Sequence, residues 1–245
     1  MKQFGLIGYP LGHSFSKKFF TEKFERENID AQYDLFELKH ITDFSILIET
    51  KDLAGLNVTI PYKQKVIEFL DELDETAAEI GAVNVVKFIH SNDNIILKGY
   101  NSDAIGFENS LKPHLKSYHT HALILGTGGA SKAVDYVLKK NGIETTFVSR
   151  TKTPDSLTYS ELNKEILEKN LIIVNTSPVG TYPHFDECPE IPYEFITERH
   201  FLYDLVYNPA ETCFLKKGKE HGAQGINGEA MLVGQALAAW DIWNT

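Results

Sequence analysis

Gly126-Thr127-Gly128-Gly129-Ala130-Ser131 follows an apolar run and opens an amphipathic one. That is where a dinucleotide's pyrophosphate meets a helix N-terminus. Glycine permits the tight turn and lets the backbone approach the phosphates. Ser131 stands where a third glycine is usual, and a small residue still allows close helix–strand packing. With a second strand ending near residue 148 the segment forms a whole βαβ unit. Gly126, Gly128, Gly129 and Ala130 therefore read as cofactor-binding, against the alternative of a purely structural turn. An NAD site usually carries Asp or Glu at the end of that second strand, accepting from the ribose 2′-hydroxyl. This chain has Ser149-Arg150-Thr151-Lys152 there, with cations and no carboxylate. A 2′-phosphate carries about two negative charges, and a guanidinium meets it with paired hydrogen bonds. The motif points to NADP(H); the alternative is that Arg150 and Lys152 are solvated loop cations.

A nicotinamide delivers hydride, and a ketone receiving it needs a proton donor for the nascent alkoxide. Four polar segments in the first half follow strand-like runs. They are Gly12-His13-Ser14-Phe15-Ser16, Asn57-Val58-Thr59-Ile60-Pro61-Tyr62-Lys63, Gly81-Ala82-Val83-Asn84 and Asn101-Ser102-Asp103. Ligands collect at the carboxyl ends of strands in open α/β sheets, so the four can converge on one cleft. Each has a plain alternative. Ser16 suits the N-cap of a helix starting at Lys17. Lys63 could be a solvated lysine on an exposed first helical turn, Asp103 a helix cap, and Asn84 a turn residue.

The elements that must position these residues alternate along the chain. Strands are expected over residues 4–7, 33–38, 53–60, 122–125, 145–148, 171–174 and 201–206. Helices are expected over 17–28, 63–70, 74–80, 103–111, 130–140, near 160–168 and over 228–243. Residues 83–88 and 95–100 flank Ser91-Asn92-Asp93-Asn94 and read as a hairpin. The pattern is α/β with mainly parallel sheets. The boundary between two halves lies between Tyr100 and Thr120, a stretch that includes a polar break at residues 112–120 containing Pro113. The last helix could pack on either half.

Bulk properties narrow the class. The chain has 245 residues, 42% hydrophobic and 24% charged, with a net charge of −10. That charge repels phosphate backbones, and no basic run compensates for it, so nucleic acid is not an expected partner. No apolar run reaches membrane length. Cys188 and Cys213 form no C-x-x-C pair, and the N-terminus reads as a strand, not as a leader. The cytoplasm is the expected compartment. His119 and His121 share a strand face with no third ligand in view, so no metal is expected. Asn57-Val58-Thr59 and Asn175-Thr176-Ser177 match the glycosylation sequon by chance, and no G-x-S-x-G elbow supports a hydrolase.

Taken together and in order, the segments resemble the shikimate dehydrogenase family. The matching pieces are Gly8-Tyr9-Pro10 with His13-Ser14-Phe15-Ser16, residues 57–63, Gly81-Ala82-Val83-Asn84, Asn101-Ser102-Asp103 and the glycine loop. Asn175-Thr176-Ser177-Pro178-Val179-Gly180 and Met231-Leu232-Val233-Gly234-Gln235-Ala236 complete them. They span nearly the whole chain. The resemblance implies a reversible, NADPH-dependent reduction of 3-dehydroshikimate to shikimate. It implies that Ser14 and Ser16 bind the substrate carboxylate, and that Thr59, Asn84, Asp103 and Gln235 contact ring hydroxyls. Lys63 and Asp103 would form the catalytic pair beside the C3 oxygen, with Tyr207 lining the cleft and Gly228 and Met231 near the nicotinamide. The implied architecture is a substrate domain of residues 1–103 plus 228–245 and a Rossmann-like NADP domain of residues 104–227, with the site in the cleft between them.

Three departures from the family pattern stand out. Lys152 replaces a second arginine, residues 225–230 differ from the usual Asp-Gly-Leu-Gly, and little follows Trp243, which predicts a reduced terminal helix. The rivals are a quinate/shikimate dehydrogenase using NAD and a non-catalytic ligand sensor on the same fold. A sensor would lack the lysine–aspartate pair. Monomer and homodimer are both compatible with the sequence.

Overall fold

The computed structural model describes every residue except His13, Asn92 and Asp93, and the Ser91 side chain; the calls on those positions lie outside the described residues. The first seven elements are β1 (Lys2–Gly8), α1 (Phe15–Arg26), β2 (Ala31–Glu37), α2 (Asp43–Thr50), β3 (Leu53–Val58), a 3-10 helix at Lys65–Phe69 and β4 (Glu72–Leu73). Then come α3 (Glu75–Ile80), β5 (Val85–Ser91), β6 (Asn94–Tyr100) and α4 (Ser102–Leu111). After the break follow β7 (His121–Leu125), α5 (Gly129–Lys140), β8 (Glu144–Ser149), β9 (Ser156–Thr158) and α6 (Lys164–Lys169). Last are β10 (Ile172–Asn175), β11 (Phe201–Asp204), α7 (Cys213–Glu220), β12 (Gln224–Ile226) and α8 (Glu229–Asn244).

Two compact units result, Met1–Ile105 with Gln235–Thr245 and Gly106–Gly234, so the division falls inside α4 and α8. The first holds a six-stranded sheet in the order β2-β1-β3-β5-β6-β4. It is mixed: β5 runs antiparallel to both β3 and β6, and the expected hairpin is that second pairing. The second unit holds a sheet in the order β12-β11-β10-β7-β8-β9, with every pairing parallel. Its central strands are buried on both faces, which is why Leu123, Ile124, Ile172, Ile173 and Val174 form continuous apolar runs instead of alternating.

The first sheet packs on both sides. One face carries Phe4, Leu6, Phe20, Phe24 and Tyr33 against Ala236, Ala239 and Trp243 of α8. The end of α8 thus belongs to the first unit, a choice the sequence left open. Trp243 donates its indole N–H to the Val86 carbonyl at 3.1 Å. Its ring lies where a Cβ on Gly55 would collide with it, so a strand glycine makes room for the indole. The other face packs Ile7, Phe44, Leu47, Leu56 and Val66.

Several expected elements differ. The stretch at residues 63–70 is only a 3-10 turn, and Lys63 precedes it. The expected helix near 160–168 divides into a 3-10 turn at Tyr159–Glu161 and α6, with Asn163 starting the second piece as N-cap. The elements α2, β4, β9, α7 and β12 are short, and the reading of the sequence passed over them.

Candidate active site

Lys63 is set by the turn that precedes it and by a bond to its own carbonyl. After β3, Thr59 donates its N–H to Ile7 and Tyr62 donates to Thr59, each at 2.9 Å, which folds the chain back on itself. The Lys63 carbonyl then accepts from Val83 N at 2.7 Å, beside Asn84. Asp103 sits in the first turn of α4. That start is fixed by Asn101, whose side chain accepts from Ala104 N at 3.1 Å and donates to the Ala82 carbonyl at 2.8 Å. Asn101, not Asp103, is therefore the residue that caps α4.

These constraints bring Lys63 Nζ to 2.5 Å from Asp103 Oδ2, with side chains only 15% and 8% exposed. Asn84 completes the group. Its Nδ2 donates to Asp103 Oδ1 at 2.9 Å and to Ser102 Oγ at 3.0 Å, and reaches Gln235 Oε1 at 3.4 Å. Its Oδ1 accepts from Ser102 N at 2.7 Å. Both carboxylate oxygens are thereby occupied and the Asp103 plane is held. An ammonium has three protons to donate; Asp103 takes one, and no other described residue takes either of the remaining two. A desolvated ammonium with protons to spare suits a site where an alkoxide forms.

A second line of polar groups reaches the same place. Ser14, not Ser16, is the N-cap of α1, accepting from Lys17 N at 3.3 Å. The helix begins at Phe15, two residues before the expected start, because extended backbone at Ser14 already closes the first turn. Ser16 lies beside the Tyr33 hydroxyl instead, and burial drives that phenol far above its ordinary range. Tyr33 donates to Asn57 Oδ1 at 2.7 Å, and Asn57 Nδ2 donates to the Asn84 carbonyl at 3.3 Å. Tyr33, Asn57, Asn101 and Ser102 were given no role from the sequence. Their partners lie 18 to 27 positions away in most of these bonds, and no local pattern signals such contacts. Thr59 is half-buried just beyond the end of β3.

In the second unit the glycine loop has the form a dinucleotide needs. Gly126 has φ +115°, and a Cβ there would lie 2.8 Å from Thr176 Oγ1. Only glycine takes that conformation readily. Thr176 in turn donates Oγ1 to the Leu125 carbonyl at 2.9 Å, tying the segment after β10 to the end of β7. Gly128 is the extended N-cap of α5, and a Cβ on it would meet nothing within 4 Å, so its backbone faces open space. Buried Ser131 donates to the Gly128 carbonyl at 2.6 Å. The first N–H groups of α5, Gly129 and Ala130 included, have no helical acceptor and remain available to an anion.

At the end of β8, Ser149 Oγ accepts from Thr151 N at 3.1 Å and donates to its carbonyl at 2.5 Å, closing a small turn. Arg150 is exposed and makes no ion pair among the described residues. Lys152 differs. Its ammonium spans both oxygens of Glu161 at 2.7 and 2.9 Å, and that bond, with help from Thr158, draws the Glu161 carboxyl down to about 2. A carboxylate therefore does lie beside this loop, brought from nine residues on, and it pairs with the lysine and not with the arginine. The residues fit an adenine dinucleotide with a 2′-phosphate, Arg150 being the cation left available to it.

The remaining candidates also fall in the second unit. A Cβ on Gly228 would collide with the Leu205 carbonyl, so packing alone requires glycine there. Met231 is buried near the start of α8, and Tyr207 is 41% exposed beyond β11. Asp204, to which the sequence reading gave no role, ends β11 fully buried. It accepts from Asn175 Nδ2 at 2.9 Å, Val206 N at 3.0 Å and Thr212 Oγ1 at 2.6 Å. Burial lifts its carboxyl to about 6, and these donors offset part of the rise. His119 bonds to Lys116 N and the Arg199 carbonyl, and His121 to Thr120 and Glu144, so both rings are engaged locally. Among the described residues no three His, Cys, Asp or Glu side chains cluster as metal ligands, and no helix is long and apolar enough to cross a membrane.

Comparison with known proteins agrees with this geometry. Residues 6–86 match the family profile described as shikimate dehydrogenase substrate binding domain. A protein of Clostridium beijerinckii named shikimate dehydrogenase (NADP(+)) is 40% identical over 257 residues, 99% of this chain and 92% of its own length. One of the same name from Methanosphaera stadtmanae is 35% identical, covering 98% and 90%. The shikimate 5-dehydrogenase of Thermus thermophilus, solved with NADP(H) and shikimate, superposes with a TM-score of 0.86 at 29% identity, over 99% of this chain and 93% of that one.

Proposed function

The chain belongs to the shikimate dehydrogenase family, and from that premise we propose that Lys63 and Asp103 carry its chemistry. The reaction is the reversible, NADP-linked interconversion of 3-dehydroshikimate and shikimate. The observation behind the residue assignment is the short, desolvated Lys63–Asp103 pair braced by Asn84.

The reduced nicotinamide supplies the hydride. Lys63 directs its ammonium protons at the oxygen that gains charge, and either transfers one or holds the charge as a proton arrives. Asp103 orients the lysine and accepts from a substrate hydroxyl. Asn84, Thr59 and Gln235 bind further hydroxyls. Ser14 and Ser16 take the substrate carboxylate, where the positive N-terminus of α1 assists. In the other unit Gly126, Gly128, Gly129 and Ala130 hold the pyrophosphate. Ser149, Arg150 and Thr151 take the 2′-phosphate, with Lys152 sharing its charge between that group and Glu161. Tyr207, Gly228 and Met231 border the nicotinamide end. The substrate domain of this reading is residues 1–103 with 228–245, which takes in residues 228–234 that the compact units group with the second half, and the enzyme works in the cytoplasm.

The test is the absorbance change of NADP on adding shikimate, with NAD and quinate as parallel arms. Turnover with NADP and shikimate well above the other three combinations is the expected result. A preference for NAD or for quinate would overturn the assignment.

A further inference from the structure

The loop after β8 has an acidic neighbour built into the next element. β9 runs parallel to β8, and its last residue, Thr158, pairs in register with Ser149. Both strands therefore finish side by side at the carboxyl end of the sheet, where ligands collect. Thr153 and Ser156 tighten the loop between them. Ser156 donates its N–H to the Thr153 carbonyl at 3.3 Å, and the two hydroxyls meet at 2.7 Å. The 3-10 turn Tyr159–Glu161 then opens with a capping box. Glu161 Oε2 accepts from Thr158 N at 2.7 Å and from Thr158 Oγ1 at 3.0 Å. The cap holds the carboxylate beside the Ser149–Lys152 loop, and Lys152 Nζ meets both of its oxygens at 2.7 and 2.9 Å. Held by that ammonium and by Thr158, the carboxyl is drawn down to about 2 and stays ionised. A 2′-phosphate at this loop would be repelled by Glu161 and would compete with it for the Lys152 ammonium; a 2′-hydroxyl would do neither.

Resting on the assignment of the 2′-phosphate to this loop, we propose that Glu161 is a specificity-determining residue for the cofactor, which occupies Lys152 and sets a negative charge beside the phosphate. It weakens NADP(H) selectively, leaves NAD(H) untouched, and so narrows the preference between the two. The lysine at position 152 matters to this role. A guanidinium presents donors on more than one edge and can face a carboxylate and a phosphate together. An ammonium is a single point charge and must turn from one to the other. Arg150 makes no ion pair among the described residues, so the phosphate keeps one undivided cation while Glu161 discounts the second. The Lys152 and Glu161 side chains are 55% and 41% exposed, which keeps the effect modest and sensitive to salt.

The experiment is a fluorescence titration of the full chain with NADPH and with NADH at low ionic strength. Glu161→Gln removes the charge and keeps the cap, because glutamine serves the same capping position with its amide oxygen. The variant should bind NADPH about three- to tenfold more tightly than the parent and NADH within about twofold. In a Lys152→Met background the same change should gain about twofold or less, since repulsion is relieved but no ammonium is freed. An NADPH gain below about twofold, an equal gain for NADH, or an undiminished gain without Lys152 would overturn the proposal. Arg150→Ala tells two failures apart. A loss confined to NADPH there, with no response to Glu161→Gln, sinks the role of Glu161 alone. Equal losses of NADPH and NADH remove the 2′-phosphate assignment and the role of Glu161 with it.

Discussion

Replacing Lys63 by methionine separates chemistry from stability. Methionine keeps an unbranched stem of similar length and removes the charge. The pair it breaks is 2.5 Å long with side chains 15% and 8% exposed. Asp103 would then keep Asn84 as its one side-chain donor among the described residues and remain a desolvated carboxylate without a counter-charge. Losing one partner of such a pair costs about 3 kcal/mol, or roughly 6–12 °C in the midpoint of thermal unfolding. Turnover should fall by about three orders of magnitude, some 4 kcal/mol of transition-state stabilisation, because both the proton and the positive charge disappear. NADPH affinity, measured by fluorescence titration, should stay within about threefold of the parent. Adding Asp103→Asn should recover most of the lost stability, since no lone charge is left buried, and none of the turnover. Two results would refute this account: turnover within about tenfold of the parent removes Lys63 from the chemistry, and a double variant as unstable as the single one removes the buried-charge explanation.

Three further outcomes are expected. Arg150→Ala should weaken NADPH by roughly tenfold to a hundredfold and leave NADH nearly unchanged, since its side chain has no ion-pair role among the described residues; equal losses by titration would defeat the 2′-phosphate assignment. Gly126→Ala forces a Cβ to φ +115° and against Thr176 Oγ1, costing about 1–3 kcal/mol of stability and at least roughly tenfold in NADPH affinity; unchanged binding would show the turn to be dispensable. Burial raises Asp204 from 3.8 to about 6, so its folded-state contribution is fully present below about pH 4 and is lost as pH rises through 6. Asp204→Asn should therefore remove a fall of up to roughly 3 kcal/mol across that window; pH–stability curves of parent and variant that run parallel from pH 4 to 7 would contradict it.

Much of the scaffold was legible because its signals are local. The βαβ unit announces itself through an unbroken apolar strand, a glycine turn and a 3.6-residue period, all within residues 121–149. The turn must be glycine-rich whatever surrounds it, because of the backbone angle at Gly126. Gly81 ends α3 in the left-handed conformation that its position after Ile80 suggested. Short elements escaped notice where tertiary pairing makes them: β12 is three residues held by β11, and β9 three residues held by β8.

The sequence by itself determined which chemistry was at hand: a dinucleotide turn, a cation after its second strand, and a lysine and an aspartate at two chain reversals. Tertiary structure decided which of those side chains meet. Lys63 and Asp103 are 40 positions apart, and only the placement of Val83 and Asn84 beside β3 brings them together. Lys152 was indistinguishable from Arg150 until the fold set Glu161 beside it. The end of α8 joined the first unit because Gly55 leaves room for Trp243. Periodicity and capping act over a turn or two of chain, whereas hydrogen-bond partners follow from strand register and helix packing, which no short window of residues contains.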